Sequence, residues 1–156
     1  MDTQESMNDT LNDLVMINND RIAGYKKAIG ELKNLDIDLK AIFEQMMHQS
    51  ETYKEELTRI IENTGGIVEE GTTSAGKIYR AWMEIKSTLS ESDRHSVLAS
   101  CEFEEDATLR AYEAALLSGS ILNTIVQTLV EAQTAALKKS HDLIKQQRNA
   151  HKALQH

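Results

Sequence analysis

Glu105 is the residue on which any chemistry in this chain would turn. It lies four positions after Cys101, three before Thr108 and seven before Tyr112, and a rhythm of four, three and four is the spacing of side chains that share one face of a helix. An acid therefore sits on a seam otherwise reserved for packing. A carboxylate inside a helical bundle points first to a di-metal centre, in which one Glu comes from each of two helices and a Glu-x-x-His pair from each of the other two. Residues three apart can then reach one metal pair from one helix face. Fragments of such a motif are present but out of phase. His48 follows Glu44 and Gln45, yet it lies about 200° round its helix from Met46, and His141 is off the stripe of Ala136, Ser140 and Leu143. The inward slots at this level fall to Asn18, Ser50, Tyr53 and Gln133. A single carboxylate does not hold two hard cations, which need oxygen and imidazole ligands in number.

The expectation is a buried polar layer of Asn18, Ser50, Tyr53, Glu105, Tyr112 and Gln133 that fixes helix register. Glu105 is expected to bond to the neutral donors Asn18, Tyr53, Tyr112 and Gln133. No cofactor and no catalytic residue are assigned; were iron or manganese bound, Glu105 would be the first ligand. Other reactive residue types read as structural. Cys101, on the same inner face, acts as a small hydrophobe, because a catalytic thiol needs a cationic neighbour and some exposure. Glu44 and His48 belong to an outer, solvated face, and His95, His141, His151 and His156 share no converging spacing. The acids Glu102, Glu104, Glu105 and Asp106 mostly wrap around their helix. No phosphate-binding glycine loop, nucleophile elbow or paired-cysteine zinc pattern occurs.

The elements that position these residues are helices. Proline is absent from the 156 residues, where average usage would supply about eight, and seven glycines and seven aromatics give little support to a sandwich or barrel. Apolar periodicity predicts helices over 9–33, 36–63, 93–117 and 120–150, with a short helix over 74–88 anchored by Trp82. Thr10-x-x-Asp13 reads as a capping box for the first helix, Asp36 as the cap of the second, and Gly65-Gly66 and Gly119 as stops. The first stripe runs Leu11, Leu14, Asn18, Ile22, Tyr25, Ile29, Leu32; the last runs Ile121, Leu122, Ile125, Leu129, Ala132, Ala136, Leu143. Residues 8–150 form a single domain between flexible termini at 1–7 and 151–156.

Acids outnumber bases by 25 to 17, a formal charge of -8, which repels nucleic acid and anionic lipid. Residues 114–130 contain no charge, but Ser118-Gly119-Ser120 interrupts them, so a hairpin between two buried helices is expected instead of a membrane span. With one cysteine and no basic, apolar leader at the start, the expected location is the cytoplasm.

More specific words lie along this frame. Leu11-Asn12-Asp13-Leu14 with Asn19-Asp20 and Gly24-Tyr25, then Gly65-Gly66, Gly71-Thr72, Gly76, Arg80-Ala81-Trp82-Met83 and Lys86, and Cys101-Glu102-x-x-Glu105-Asp106-Ala107 with Ala111-Tyr112-Glu113-x-Ala115-Leu116, resemble the bacterial domain-of-unknown-function family number 2383 over residues 8–150. The resemblance implies an all-α, ferritin-like, up-down four-helix bundle with a long crossover carrying a short extra helix. It implies no reaction, since the family has none established. The reading that results leans away from an enzyme, toward an accessory or stress-associated protein with a degenerate, metal-free di-iron site. The alternatives are a di-metal oxidase or storage bundle using iron or manganese, and a partner-binding module that forms a homodimer through an outer helix face.

Overall fold

The computed structural model describes residues 3–32, 36–71, 94–122 and 124–154, the last four as backbone alone. Four helices account for most of them: α1 (Thr3–Glu31), α2 (Ile37–Asn63), α3 (Arg94–Leu117) and α4 (Ile125–Leu154). No strand occurs among the described residues. The short helix expected over 74–88, with Trp82, lies outside them. Helix α1 packs on α2, α3 on α4, and the two hairpins meet through α1 and α3. We call the end holding the α3–α4 connection the turn end and the opposite end the clamp end.

Helix α1 starts at Thr3, earlier than the capping box implied, and its first turns are not a loose terminus. Gln4 Nε2 donates to the Thr64 carbonyl (2.7 Å), and Met7 packs on the core of the turn end. Thr10 lies inside the helix; its hydroxyl donates to the Ser6 carbonyl (3.2 Å) and shares a hydrogen bond with Ser120 Oγ (2.7 Å). Tertiary contacts thus extend a helix that a local signal would have started later.

Asp36 does occupy the position before α2, but its carboxylate makes no cap bond. It receives Arg94 Nη1 at 2.9 Å, while Arg94 Nη2 donates to Asp38 at 2.7 Å. One arginine therefore ties the start of α3 to the start of α2 and closes the clamp end. At the other end of α2 the chain stops as its two glycines predicted. Gly65 N–H bonds the Glu62 carbonyl (3.1 Å), Gly66 N–H bonds the Ile61 carbonyl (2.8 Å), and Gly65 adopts φ +75°. This pair of bonds is the left-handed helix stop that L side chains resist.

Beyond it the chain turns back along α1. Asn12 Nδ2 donates to the Ile67 carbonyl and Asn12 Oδ1 accepts from the Glu69 N–H, both at 2.9 Å. One turn pair further on, Asn19 Nδ2 donates to the Gly71 carbonyl (2.8 Å). These asparagines and glycines are among the words that carried the family resemblance, and here they steer the crossover from the turn end toward the clamp end.

Two stripes differ from those predicted. On α1 the buried series is Leu11, Leu14, Asn18, Arg21, Tyr25, Ala28, with Ile22 and Ile29 only half-buried. On α4 it is Val126, Val130, Gln133, Leu137, Ser140, Ile144, one position from most of the predicted set, and the helix begins at Ile125 instead of 120. The interior divides into two apolar clusters. Leu11, Leu14, Leu57, Ile61, Ile121 and Val130 fill the turn end; Tyr25, Leu39, Phe43, Met46, Leu98 and Ile144 fill the clamp end.

Replacing Asn12 with Ala removes both bonds to the crossover and should cost about 1–2 kcal/mol of unfolding free energy. Amide exchange at Glu69 should speed up while the middle of α2 keeps its protection; unchanged exchange at Glu69 would mean the crossover is held in place by something else.

Candidate functional site

Between the two apolar clusters lies a polar layer centred on Arg21. Its place follows from the heptad-like alternation of α1, since 18, 21 and 25 continue the series begun by Leu11 and Leu14. The guanidinium is fully buried. Arg21 Nε donates to Glu105 Oε1 at 2.9 Å and Nη2 lies 2.8 Å from the same oxygen. The other edge of the fork turns to α2, where Nη1 donates to Gln49 Oε1 (2.8 Å) and Ser50 Oγ (2.9 Å). Nη2 also lies 3.4 Å from Met46 Sδ. Tyr25, one turn along α1, donates its hydroxyl to Glu105 Oε1 and presents its ring to Arg21, 5.4 Å from the guanidinium carbon. Burial works against the charge on Arg21, but the Glu105 carboxylate beside it prevails and keeps it a cation. Burial, with the Glu105 charge, pushes the Tyr25 phenol well up, so it stays a donor.

Glu105 is thus buried as its spacing predicted, but the partners assigned to it were wrong. Asn18, Tyr112 and Gln133 form a separate string: Asn18 Nδ2 donates to Tyr112 Oη (2.9 Å), Tyr112 Oη donates to Gln133 Oε1 (2.6 Å), and Gln133 Nε2 donates to Glu56 (3.3 Å). All three are buried, as is Ser50, which bonds Arg21; Tyr53 is only half-buried. Ser140 of α4 donates to Gln49 Oε1 (3.1 Å) and brings the fourth helix into the layer. The string runs through uncharged amides and a phenol before ending on Glu56, and Asn18 Oδ1 has no partner among the described residues. Glu105 carries a full charge and is met by a full charge.

Glu104 is the second departure. It is completely buried beside Glu105, and neither of its oxygens has a hydrogen-bond partner among the described residues. Its carboxylate lies against the backbone of α1 at Gly24, where a Cβ would come within 2.1 Å of Oε2. A side chain at this position would have to displace the end of Glu104, so Gly24 is what lets that carboxylate lie against α1. Burial, with the charge of Glu105 next to it, pushes the Glu104 carboxyl well above the ordinary carboxylate range. The site therefore sets two carboxyl groups against one guanidinium, with Glu105 bonded to the cation and Glu104 pushed by burial toward its uncharged form.

The remaining candidates scatter. His48 is exposed, 3.6 Å from Glu51. His141 lies off the buried stripe of its helix, as its spacing implied; it reaches Asp106 of α3 at 2.5 Å and is largely covered. Glu102 pairs with Arg148 at 2.7 Å. Cys101 is fully buried, and burial followed by the neighbouring Glu104 and Glu105 pushes its thiol well up, surroundings that disfavour a thiolate. Among the described residues, no three His, Cys, Asp or Glu side chains gather closely enough to hold a metal ion.

Comparison with known proteins agrees with this architecture. The family model described as "Domain of unknown function (DUF2383)" matches residues 6–118. No curated protein matches the sequence. Among solved structures, a point mutant of Dps1 from Mycobacterium smegmatis is similar, with a TM-score of 0.78 at 16% identity over 94% of this chain and 97% of that one. At that identity the likeness is one of fold, a ferritin-like four-helix bundle. No described helix is long and apolar enough to cross a membrane.

Two measurements probe the layer. Arg21→Met strands Glu105 as a buried charge and should cost about 3–5 kcal/mol in urea unfolding, most of it recovered in the Arg21→Met, Glu105→Leu double variant. Loss without recovery would mean that packing, not charge, is what Arg21 supplies. Glu104 gives a pH signature. Its folded-state pKa is raised, so its contribution is fully present below the unfolded carboxylate pKa and falls away as pH rises toward the folded value. Glu104→Gln should therefore match the wild type at acid pH and become the more stable of the two as pH climbs from the carboxylate range to neutrality. Parallel stability curves would refute the neutral-carboxyl assignment.

Proposed function

The chain belongs to the DUF2383 family, and on that premise we propose that it is a ferritin-like bundle whose interior is neutralised by its own arginine, acting as a non-catalytic accessory protein of the cytoplasm. The observation that supports this most is Arg21. A di-metal centre of this bundle type puts divalent cations among carboxylates in the middle of four helices. Here a guanidinium with a fixed fork of donors occupies that role, and three donors converge on the one oxygen, Glu105 Oε1.

The donor set does not fit a pair of iron or manganese ions. Glu105 is engaged by Arg21 and Tyr25, Glu104 lies against Gly24, and neither His48 nor His141 reaches the layer. A divalent ion next to Glu105 would also face the guanidinium, and like charges a few ångströms apart repel by several kcal/mol at the effective dielectric of a protein site. The cytoplasmic assignment draws on the single, buried thiol of Cys101, which needs no oxidising compartment.

The test is metal loading. The purified chain, incubated with ferrous iron or manganese and desalted, should retain well under one ion per chain and should oxidise ferrous iron no faster than buffer does. Two ions per chain, lost in Glu105→Ala with the fold intact, would replace this reading with that of a di-metal oxidase or storage bundle.

A further inference from the structure

The second half of α4 is lightly anchored. Between Leu137 and Ala150 only Ser140 and Ile144 are buried, and Ile144 with the half-buried Leu143 is its whole share of the clamp-end cluster. Polar ties supply the rest: Ser140 to Gln49 (3.1 Å), His141 to Asp106 (2.5 Å) and Arg148 to Glu102 (2.7 Å). Of the groups in these ties, histidine is the one whose charge ordinarily changes between about pH 5 and 8. Both nitrogens of the His141 ring face carboxylates, Nε2 meeting Asp106 of α3 while Nδ1 lies 3.4 Å from Asp142 of its own helix. A neutral imidazole has one N–H and donates to only one of them, whereas the imidazolium donates to both. We propose that His141 is a proton-operated latch: as a cation it holds the second half of α4 against α3, and on losing its proton it frees those turns to open while the rest of the bundle stays folded.

The surroundings select the charged form. The helix packed on α4 is α3, and it sets Asp106 against the ring; one turn before Asp106, Glu102 is met by Arg148, and one turn after it Arg110 is exposed. On α4 itself Asp142 is adjacent, and Lys138 and Lys145 stand three and four residues away on the exposed side, where water weakens their repulsion. From α2 comes the uncharged Gln49, through Ser140. Partial burial works against the cation, but the bonds to Asp106 and Asp142 prevail and raise its pKa above the ordinary histidine value. The latch therefore holds fully below that ordinary value and lets go as pH rises through the raised one.

Two measurements on the full chain must agree. The ring-proton NMR titration of His141 should have its midpoint above about 6.5, and Asp106→Asn should bring the midpoint down toward that value. Over the same range, amide protection of residues 141–150, with the intrinsic effect of hydroxide divided out, should fall about threefold or more in the wild type. Asp106→Asn should flatten this dependence, and the middle of α2 should remain far better protected at every pH. Linkage ties the two readings together, each unit by which the folded midpoint exceeds the ordinary value matching about a tenfold change in the opening equilibrium. A midpoint at or below about 6.5 overturns the proposal, as does one that Asp106→Asn leaves in place. So does protection that is the same on both sides of the midpoint, or exchange of 141–150 no faster than that of the α2 middle, which would mean that this stretch opens only with the whole bundle.

Discussion

The contact between Arg21 and Glu105 constrains the rest of this protein more than any other. Removing two full charges from water costs several kcal/mol for each ion even after relaxation, and the cost is offset only where well-placed donors and acceptors meet them, here by three donors on Glu105 Oε1 and partners along the guanidinium fork. That requirement reaches into each helix. Glu105 on α3 and Gln49 and Ser50 on α2 must stand within hydrogen-bond distance of Arg21, Tyr25 must reach the same Glu105 oxygen, and Ser140 of α4 is drawn in through Gln49. Apolar surface alone would tolerate a helix sliding by a turn, since one leucine packs much as another does. A forked cation with four named partners does not.

The same contact gives the interior its chemical character. Proteins that use buried carboxylates for metal chemistry leave those oxygens facing an open centre. In this chain one carboxylate faces a built-in cation, and the second, Glu104, lies against the α1 backbone where burial pushes it toward its uncharged form. The layer is crowded at Glu105 Oε1, whereas Glu105 Oε2 and both oxygens of Glu104 have no hydrogen-bond partner among the described residues.

Much of the frame was legible because period and punctuation are local. The four helices and the stops at Gly65 and Gly119 follow from apolar rhythm, absent proline and left-handed glycine, and the burial of Glu105 follows from its distance to Cys101, Thr108 and Tyr112. What was missed depended on contacts across the fold. The start of α1 is set by Thr64 and Ser120, distant in sequence, and not by the nearest cap-like residues. Arg21 was passed over because a stripe drawn through isoleucines prefers Ile22, and long basic side chains ordinarily point outward. On α4 the true inner face includes Gln133 and Ser140, polar members of the central layer, so weighing hydrophobicity alone selects a neighbouring face on which Ile125 is exposed and Leu129 and Leu143 are only half-buried. Both misreadings have one origin: the inner surface of this bundle is polar in the middle.

That division has a mechanical side. The cluster around Leu57 and Val130 and the one around Phe43 and Leu98 do not share side chains; a plane of directional bonds stands between them. Close-packed apolar interiors transmit a change of volume to their neighbours, whereas substitutions at well-separated sites without common partners add independently. The two ends of the bundle are therefore insulated compartments, free to drift apart in sequence. One can be repacked to suit whatever meets its outer face while the other continues to hold the clamp.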